Sequence, residues 1–485
     1  MVSNGMRRSY SMRIVQLSGG AVLCVASMAT ADMLTVPGDF PTIQSAIDAS
    51  SSGDHIMVSP GIFNELIDFS GKAITVEGSG SGASVIDGAG FSGPVVRFAS
   101  EEGSGSVLAN FRVSHGSGEV VNDPVFGNVK CGGGILVRSG SPIIHDCVIE
   151  SNDTWGGAGM CNVSASPTVS DCSFRSNVSE GHGGGIYNLN GSEPLIERCS
   201  FVSNTASWGG GITNTIGSDA TITACDFIAN TTLNVGGGMF NRSYSSPIVT
   251  NCNFFGNIQI NNPLGSGGGM CTYGAGTGGG PCYPVVTGCV FEGNVVNGDG
   301  GGMANAYYSY TTISNCIFRF NSSGRDGGGV AAVGENEPDA PSNVEVFNCV
   351  FESNSATGRG GGFFARRSEP SLMNCTIHDN SAGDGGGGVY FFESGDSTMG
   401  DTALCANSTV QIGGSYIDLG GNTVNNDCQD CVADITGDGT VGVDDMLDLI
   451  SNFGPCGGCA ADVNGDGVVG VDDILIVLSA WGDCA

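Results

Sequence analysis

The stretch Pro247-Ile248-Val249-Thr250-Asn251-Cys252-Asn253-Phe254 follows the glycine triplet Gly236-Gly237-Gly238, and this pair of motifs recurs along most of the chain. The second motif has the form Cys-x-(Phe/Ile)-x-x-Asn. Its nine copies begin at Cys147, Cys172, Cys199, Cys225, Cys252, Cys289, Cys316, Cys349 and Cys375. Triplets followed by Ile, Met, Val or Phe begin at Gly132, Gly183, Gly209, Gly236, Gly267, Gly300, Gly327, Gly360 and Gly386, and Gly157-Ala158-Gly159-Met160 is a tenth, variant copy.

The period of the repeat is informative about fold. Successive copies of the cysteine motif lie 25 to 27 residues apart, except where insertions lengthen the spacing to 33 or 37. Short alternating runs broken by Gly and Asn suit three short strands and three turns per unit rather than helices. Stacked coils bury the apolar side that one coil cannot, because each strand pairs with its equivalents about 4.8 Å above and below. The sequence therefore predicts an all-β solenoid, a right-handed parallel β-helix of about 26-residue coils.

Each residue type of the repeat predicts its own place in a coil. The Cys and the Phe or Ile lie two residues apart and so point to one interior face, where we expect the nine cysteines to be free, buried thiols rather than disulfides. The Asn is expected at a turn, with left-handed backbone angles and a side-chain amide bonded along the stack. The glycine triplets are expected where coils approach too closely for side chains.

The amino end of the repeat region has a different pattern. Asp39 to Asp48 predicts a short amphipathic helix, and His55 to Phe63 and Lys72 to Gly78 predict the first strands. With the repeat, these features resemble the pectin lyase-like right-handed β-helix families over Leu34 to Val424. The resemblance implies that the helix plugs the open end of the stack, where the first coil would otherwise expose its core and a free strand edge. We assign residues 32–424 to the β-helix.

The first 31 residues predict an export signal. Arg7, Arg8 and Arg13 precede an apolar run, and Ala29-Thr30-Ala31 offers small residues for cleavage. Beyond them no apolar run approaches the roughly 20 residues that a membrane-spanning helix needs. The net charge of −32 argues against a nucleic-acid partner, which would require a basic face. We therefore expect a protein that is secreted or held at the cell surface.

From residue 425 to residue 485 the sequence contains two copies of another unit, offset by 28 residues. Each copy has the spacing of an EF-hand-type loop, in which positions 1, 3, 5, 7 and 12 supply oxygen ligands and a glycine at position 6 makes the turn. An apolar helix is predicted after each loop, and the implied cofactor is Ca²⁺. The expected ligands are Asp434, Thr436, Asp438, the carbonyl of Thr440 and Asp445, then Asp462, Asn464, Asp466, the carbonyl of Val468 and Asp473.

This duplicated loop and helix resembles type I dockerins, which implies a calcium-dependent fold and a cohesin partner. In that family a Ser/Thr pair at loop positions 10 and 11 commonly contacts the cohesin. Here the positions hold Val443-Asp444 and Val471-Asp472, which puts a standard cohesin partner in doubt and leaves a cohesin-like or other surface protein.

Several cysteines lie outside the interior ladder. Cys271 with Cys282 and Cys131 with Cys161 are candidates for disulfides. Each dockerin-like copy also carries a Cys-x-x-Cys pair. Zinc is an alternative for this spacing, but disulfides are favoured because the pairs frame carboxylate loops in a chain expected to be exported. The four cysteines concerned are Cys428, Cys431, Cys456 and Cys459.

Two classes of function remain open from the sequence. The near-uniform coils and the missing signatures of pectate lyases, pectin methylesterases and polygalacturonases favour a non-catalytic protein that binds polysaccharide or acts as an adhesive or structural element. The alternative is a polysaccharide lyase or glycoside hydrolase, with Asp299 and Asp326 as a carboxylate pair or Arg325 or Arg359 as the basic group. Both use a predicted edge of exposed residues just before the glycine triplets, and the alternative is that these are ordinary variable turn residues. The residues are Trp155, His182, Trp208, Asp299, Asp326, Arg359 and Asp384.

Overall fold

A computed structural model describes residues 31–274, 279–334, 342–425, 433–436, 440–456, 459–464 and 467–483. The expected export signal lies outside these ranges apart from its last residue. From residue 33 to residue 424, the described chain forms the predicted right-handed parallel β-helix. None of the described helices is long and apolar enough to cross a bilayer.

Four stacked sheets run along the β-helix. The 15-stranded sheet contains Met33–Val36, His55–Val58, Thr75–Gly78, Val107–Ala109, Ile143–His145, Thr168–Ser170, Leu195–Glu197, Thr221–Thr223, Ile248–Thr250, Val285–Thr287, Tyr310–Ser314, Asn343–Phe347, Ser371–Met373, Thr398–Gly400 and Ile417–Asp418. The 14-stranded sheet contains Gly61–Asn64, Ser84–Asp87, Arg112–Ser114, Val148–Glu150, Ser173–Arg175, Ser200–Val202, Asp226–Ile228, Asn253–Phe255, Val290–Glu292, Ile317–Arg319, Val350–Glu352, Thr376–His378, Ala403–Cys405 and Thr423–Val424.

The other two sheets meet at the glycine triplets. The 11-stranded sheet contains Glu119–Asp123, Gly127–Cys131, Asp153–Gly156, Val178–His182, Thr205–Trp208, Thr231–Val235, Ile258–Gln259, Val295–Val296, Ser322–Ser323, Ser355–Ala356 and Ser381–Ala382. The 13-stranded sheet contains Ile67–Asp68, Val96–Phe98, Ile135–Arg138, Met160–Val163, Ile186–Leu189, Ile212–Thr215, Met239–Arg242, Met270–Tyr273, Met303–Ala306, Val330–Val333, Phe363–Arg366, Val389–Phe392 and Ile412–Gly414.

The expectation of three strands per coil was wrong for the middle of the stack, where each coil contributes four. The extra strand is the segment just before the glycine triplet, such as Thr205–Trp208, which is extended and pairs with its equivalents. The triplet itself is the bend between the 11-stranded and 13-stranded sheets. A Cβ atom on Gly184 would lie 2.5 Å from the carbonyl oxygen of Gly210 in the next coil, and Gly183 has a φ of +59°. The predicted role of the triplets as sites of close approach is confirmed.

The interior is built from ladders of like residues. Seven phenylalanine rings, one per coil, stack with centroids 4.5 to 5.1 Å apart and planes within 8° of parallel. They are Phe174, Phe201, Phe227, Phe254, Phe291, Phe318 and Phe351. Burying each such side chain contributes about 2 to 3 kcal/mol relative to exposure. The nine repeat cysteines are free and buried, as predicted.

An asparagine ladder runs beside the cysteines. The side-chain oxygen of Asn230 accepts the backbone N–H and the side-chain amide of Asn204, both at 3.0 Å, and the Asn230 amide donates to Asn257 at 2.9 Å. The bonding along the stack is confirmed, but the left-handed conformation was assigned to the wrong residue. It belongs to the residue before each Asn, such as Ala229 with a φ of +50°. That placement turns the Asn side chain inward to join the ladder.

The remaining cysteines depart in part from expectation. Cys271, Cys282, Cys131 and Cys161 are all free and buried, so the two predicted disulfides are absent. Cys271 instead packs with Phe240 and Ala304, and Cys131 and Cys161 belong to one buried cluster with Tyr187. By contrast, Cys456 and Cys459 form the expected disulfide. Cys428 and Cys431 lie outside the described residues, and Cys405, which carried no prediction, is disulfide-bonded.

Helix α1, Ile43–Ala49, covers the amino end of the stack. It starts later than predicted because Thr42 is its N-cap, with reciprocal hydrogen bonds to Ser45. Ile43, Ala46 and Ile47 are buried, and the helix contacts strands of the first coils. The expected plug is therefore present.

The carboxyl-terminal segment contains helices α2, Val443–Ser451, and α3, Val471–Ser479, which contact each other. Four short strands complete it. Thr440–Val441 pairs with Gly482–Asp483, and Gly454–Pro455 pairs with Val468–Val469, both antiparallel. Each repeat thus supplies one strand to the other, which gives the two halves a reciprocal arrangement.

Candidate functional site

The predicted edge before the glycine triplets is a column of paired residues. His182 pairs with Trp208, and Trp208 with Val235. Ser266 bridges to Asp299 further along. Register shifts beside Trp155, His182 and Trp208 mark bulges in these strands. Bulges change the direction of side chains and often occur next to binding sites.

Four aromatic residues gather at one end of this column, and we call Phe126, Trp155, His182 and Trp208 the aromatic edge. Phe126 lies at the turn of the antiparallel hairpin Glu119–Asp123 and Gly127–Cys131. Its ring centroid is 5.3 Å from Trp155, 5.0 Å from His182 and 6.3 Å from Trp208. His182 lies between the two tryptophans, 5.6 Å from Trp155 and 4.9 Å from Trp208. The hairpin therefore folds its tip onto residues of three coils.

His182 is fully buried inside this group. Its ring stacks on Tyr187 at 5.2 Å, and neither ring nitrogen has a hydrogen-bond partner among the described residues. Burial, with a smaller contribution from the Arg242 guanidinium, lowers the pKa of His182 from 6.5 to about 3. The imidazole is therefore neutral at physiological pH, and the prediction that His182 is exposed was wrong because Phe126 and Trp208 cover it.

A second contact, a hydrogen bond between Tyr187 and Asp123, holds the hairpin against the β-helix. The Tyr187 hydroxyl donates to the Asp123 carboxylate at 2.7 Å, in a buried setting. The other carboxylate oxygen of Asp123 accepts the backbone N–H groups of Val125 and Phe126 at 2.8 and 3.0 Å. Asp123 thus fixes both the hairpin turn and the position of Phe126.

A cleft of about 480 Å³ opens beside Trp155. Its walls include the exposed side chains of Asn128, Lys130, Asp153 and Glu180. One aromatic ring with a few polar and charged groups around it is the composition of many small-molecule and sugar sites. This cleft is the strongest candidate site on the β-helix.

A second cleft, of about 350 Å³, lies on the other side of the hairpin. Arg97 occupies its wall, and its guanidinium is 2.6 Å from the Asp68 carboxylate and 3.1 Å from that of Glu119. Since these charged groups already bind each other, the Trp155 cleft is the better candidate for a ligand.

The carboxylate pair proposed from the sequence is engaged in contacts between coils. Asp299 is 6% exposed, and its carboxylate accepts the backbone N–H of Asp326 at 3.2 Å and lies 3.4 Å from Arg325. Asp326 in turn accepts the backbone N–H of Arg359 at 2.8 Å. Burial raises the pKa of Asp299, and Arg325 partly opposes the rise. Both carboxylates therefore fasten successive coils, and their bonding to backbone N–H groups gives no support to a glycoside hydrolase built on this pair.

The other members of the predicted edge are spread apart. The Arg359 guanidinium stacks over Phe392 at 4.6 Å and over Tyr390 at 5.3 Å. Asp384 is exposed and lies one residue before Gly385, which is the residue that bridges to Arg359. Of the seven candidates, Trp155, His182 and Trp208 form one aromatic group. Further along the column, Asp299, Asp326 and Arg359 are linked by hydrogen bonds.

The predicted calcium loops are described in part, because Asp438 and Asp466 lie outside the described residues. In the first loop, the Asp445 carboxylate accepts the backbone N–H of Thr436 at 2.9 Å and its hydroxyl at 3.0 Å. The Thr436 hydroxyl also lies 3.4 Å from the Asp434 carboxylate. In the second loop, Asp473 accepts the backbone N–H of Asn464 at 3.0 Å. Loop positions 3 and 12 thus meet in both copies.

The acidity of this segment bears on whether a cation fits. Between residues 425 and 485 the chain has twelve Asp and no Glu, Lys, Arg or His. Asp445 is 1% exposed and Asp473 is fully buried. Two buried carboxylates without a cationic side chain in the segment are compatible with a bound cation. Among the described residues no group of three or more His, Cys, Asp and Glu gathers around a point that could hold a metal, and the ten-ligand assignment stays a prediction.

The two helices of this segment present matching apolar faces. Val443, Leu447 and Ile450 on α2 are each more than half exposed, and so are Val471, Leu475 and Leu478 on α3. Phe453 and Trp481, at equivalent positions after the helices, are also at least half exposed. An exposed apolar surface of this kind usually marks a contact with another protein.

The aromatic edge includes one residue that the sequence interpretation missed. Two alternating runs around Asp123-Pro124-Val125-Phe126-Gly127 predict a hairpin, and that signal would have placed Phe126 at its tip. The contact of Phe126 with Trp155 and Trp208 could not be found this way, because it depends on how the hairpin folds back onto the stack.

Comparisons with known proteins agree with this architecture. A family model for a right-handed β-helix region matches residues 114–278, about a third of the chain. No curated protein sequence matches the chain significantly. The catalytic unit of a thermostable GH87 α-1,3-glucanase from Streptomyces thermodiastaticus strain HF3-3 has a TM-score of 0.50 at 16% identity, over 86% of this chain and 71% of that chain.

Two further solved structures are less similar. The pectate lyase Pel9A has a TM-score of 0.37 at 13% identity, over 71% of this chain and 79% of its own. A family 28 exopolygalacturonase from Yersinia enterocolitica has a TM-score of 0.32 at 8% identity, over 82% of this chain and 79% of that chain. The family model and the glucanase structure agree with a right-handed parallel β-helix, and a fold alone does not assign a reaction.

Proposed function

We propose that this chain is a secreted or cell-surface protein whose β-helix binds extracellular polysaccharide in the cleft beside Trp155. The observation that carries the proposal is the position of the Trp155 ring at the edge of a cleft of about 480 Å³ with polar and charged walls. In the carboxylate pair that would have supported hydrolysis, Asp299 is buried, and both carboxylates accept backbone N–H groups of the following coil. Binding without cleavage is therefore the better-supported activity.

The cleft has the chemical groups that a sugar chain requires. An aromatic ring offers a flat apolar face, and Asn128 offers both hydrogen-bond donors and an acceptor. Asp153 and Glu180 accept hydrogen bonds from hydroxyl groups, and Lys130 donates them. The aromatic edge extends the platform along the axis of the β-helix toward Trp208, so the site is long enough in one direction to follow a chain.

The test measures binding of the full chain to soluble neutral and acidic polysaccharides by affinity electrophoresis, while reducing ends and unsaturated products are followed in the same samples. Trp155→Ala is expected to weaken binding roughly fivefold to tenfold, because a stacking contact of about 1 to 1.5 kcal/mol is lost. Phe255→Ala is the matched control, since Phe255 is an aromatic residue, 51% exposed, on the 14-stranded sheet.

Unchanged binding by Trp155→Ala would remove the cleft from the proposal. Product formation by the wild-type chain would instead establish a polysaccharide lyase or glycoside hydrolase and direct attention to Asp153 and Glu180.

We further propose that the carboxyl-terminal segment is a dockerin-like attachment module that folds around Ca²⁺ and docks to a cohesin-like or other surface protein. Its support is the pair of buried acidic residues Asp445 and Asp473, each in the first turn of a helix that has an exposed apolar face. The two helix faces are equivalent by the 28-residue repeat, so the module offers two similar docking surfaces.

Calcium titration followed by the thermal unfolding of the full chain tests this module. We expect Ca²⁺ to raise its transition temperature, since a ligand that binds only the folded state stabilises it. Asp445→Asn is expected to weaken the effect, while Asp444→Asn, a change at the exposed neighbour, serves as control. A transition temperature that does not respond to calcium would contradict the proposal.

A further inference from the structure

Six of the ten tyrosines in the chain lie on the turns between the 13-stranded and 15-stranded sheets of adjacent coils, or on the strands beside these turns. We call them the tyrosine surface: Tyr244, Tyr273, Tyr283, Tyr307, Tyr308 and Tyr310. Tyr244 is 53% exposed and Tyr283 is 55% exposed, and the others are partly exposed. This surface is formed by later coils than the Trp155 cleft and by a different turn.

The tyrosines contact one another across coils. Tyr283 and Tyr310 stack with ring centroids 5.2 Å apart and planes 16° apart. Tyr273 and Tyr307 meet edge to face at 4.9 Å. The Tyr244 ring lies against the backbone of Gly280, where a Cβ atom would overlap it. Four of the six residues therefore form two ring pairs, and Tyr244 and Tyr308 lie on the turns beside them.

The backbone beneath this surface is unusual for tyrosine. In two earlier coils the same turn is Asn190-Gly191-Ser192 and Ile216-Gly217-Ser218, and the glycines have φ values of +71° and +66°. In the later coils it is Ser243-Tyr244-Ser245 and Tyr307-Tyr308-Ser309.

At the glycine position of this turn Tyr244 has a φ of +69° and Tyr308 a φ of +54°, while Tyr307 before it has +46°. Left-handed angles are strained for bulky residues, and such strain is concentrated at functional sites. Glycine would adopt these angles at positions 244 and 308 with less strain than tyrosine does.

We propose that the tyrosine surface is a second binding site, one that takes neutral polysaccharide. Tyrosine rings supply flat apolar faces with little conformational freedom to lose, and their hydroxyls hydrogen-bond to sugar hydroxyls. A chain with a net charge of −32 repels polyanions at long range, which favours an uncharged glycan. The site goes beyond the proposed function because it shares no residue with the Trp155 cleft.

The experiment uses the full chain and dextran, galactomannan and xyloglucan as neutral probes, with polygalacturonate as the acidic one, in affinity electrophoresis. We expect at least one neutral probe to bind, and Tyr283→Ala to weaken that binding about fivefold. Binding of polygalacturonate alone, or none of the four, would overturn the proposal. Binding by Trp155→Ala is measured in parallel, so that a loss of binding at the cleft is distinguished from a loss of binding at the tyrosine surface.

A second variant distinguishes binding from a structural role. Tyr308→Gly is expected to weaken binding of the neutral probe while the unfolding temperature stays the same or rises, because the left-handed strain is relieved. Phe320→Gly is the matched control: Phe320 is 53% exposed with a φ of +55°, on another turn where Gly256 and Gly293 stand in two earlier coils. An unfolding temperature that falls in Tyr308→Gly, with unchanged glycan binding, would show that Tyr308 serves the fold only.

Discussion

The Trp155 ring lies so close to Gly181 in the next coil that a Cβ atom on Gly181 would come within 2.6 Å of Trp155 Cε2. Gly181→Ala is therefore expected to displace the ring from the cleft and to lower polysaccharide affinity nearly as much as Trp155→Ala does, by roughly fivefold. Affinity electrophoresis measures the effect. Gly82→Ala is the control, because nothing lies within 4 Å of its added Cβ atom. Wild-type affinity in Gly181→Ala would mean that the ring position is unimportant for binding.

The asparagine ladder predicts that replacing one of its members with alanine greatly lowers the free energy of unfolding. Asn230→Ala removes hydrogen bonds to Asn204, Asn257 and the Phe201 carbonyl in a fully buried site. We expect a loss of roughly 3 kcal/mol in the free energy of unfolding, since buried donors and acceptors are left without partners. Chemical denaturation measures it. Asn253→Ala, at an exposed position, should change stability by less than about 0.5 kcal/mol, and equal losses in the two variants would contradict the ladder's importance.

The dockerin-like module should lose stability in acid when calcium is absent. Burial acts to raise the pKa of Asp473, but hydrogen bonds from the Gly470 and Asn464 backbones outweigh it, so the pKa lies below 3.8. A carboxyl group whose folded-state pKa is lowered stabilises the fold above its unfolded pKa, and this contribution is lost as the pH falls through the folded value. At pH values below about 4, we expect the unfolding temperature of the module to decrease.

Asp473→Asn should flatten this acid dependence and cost about 1 kcal/mol at neutral pH, because the carboxylate also accepts the Gly470 N–H at the start of α3. Asp472→Asn, which changes an exposed neighbour, should retain the wild-type pH profile. The same flattening in both variants would point to general charge repulsion instead.

The described cysteines predict a thiol-labelling pattern. Thirteen of them are free and buried, and nine belong to the interior ladder. A maleimide reagent is expected to label these positions only after denaturation, because thiol chemistry requires access to the sulfur. Mass spectrometry of labelled peptides measures this, with the denatured protein as control. Labelling of ladder cysteines in the native protein would show that the coils open readily.

The solenoid could be predicted from sequence because one coil repeats the same constraints many times. The Cys and Phe positions had to share an interior face, and the glycine triplets had to lie at a close approach. Individual backbone angles were less certain: the inward direction of Asn230 depends on a left-handed Ala229, and both residues are compatible with a turn. The fourth strand was missed because its residues lack the alternation of the other three.

The site was harder to predict than the fold. Trp155 and Trp208 were candidates because they precede glycine triplets, but their burial of His182 depends on Phe126, whose position is set by a contact between Asp123 and Tyr187, 64 residues apart. Asp299 was a candidate on the same grounds and is buried, because its carboxylate fits the backbone of the following coil. The position of a residue in the repeat predicts that it lies in the column before the glycine triplets. Whether it stays accessible depends on contacts with segments outside the repeat, such as the hairpin that carries Phe126.

The reciprocal strand pairing of the carboxyl-terminal segment has a consequence for metal binding. Thr440–Val441 of the first loop pairs with Gly482–Asp483 beyond α3, and Val468–Val469 of the second loop pairs with Gly454–Pro455 beyond α2. Because each loop's strand pairs with the other half, we expect occupation of one loop by Ca²⁺ to lower the ordering cost for the next ion. The two binding events are thus expected to be cooperative, and the module to assemble as a single switch rather than as two independent sensors.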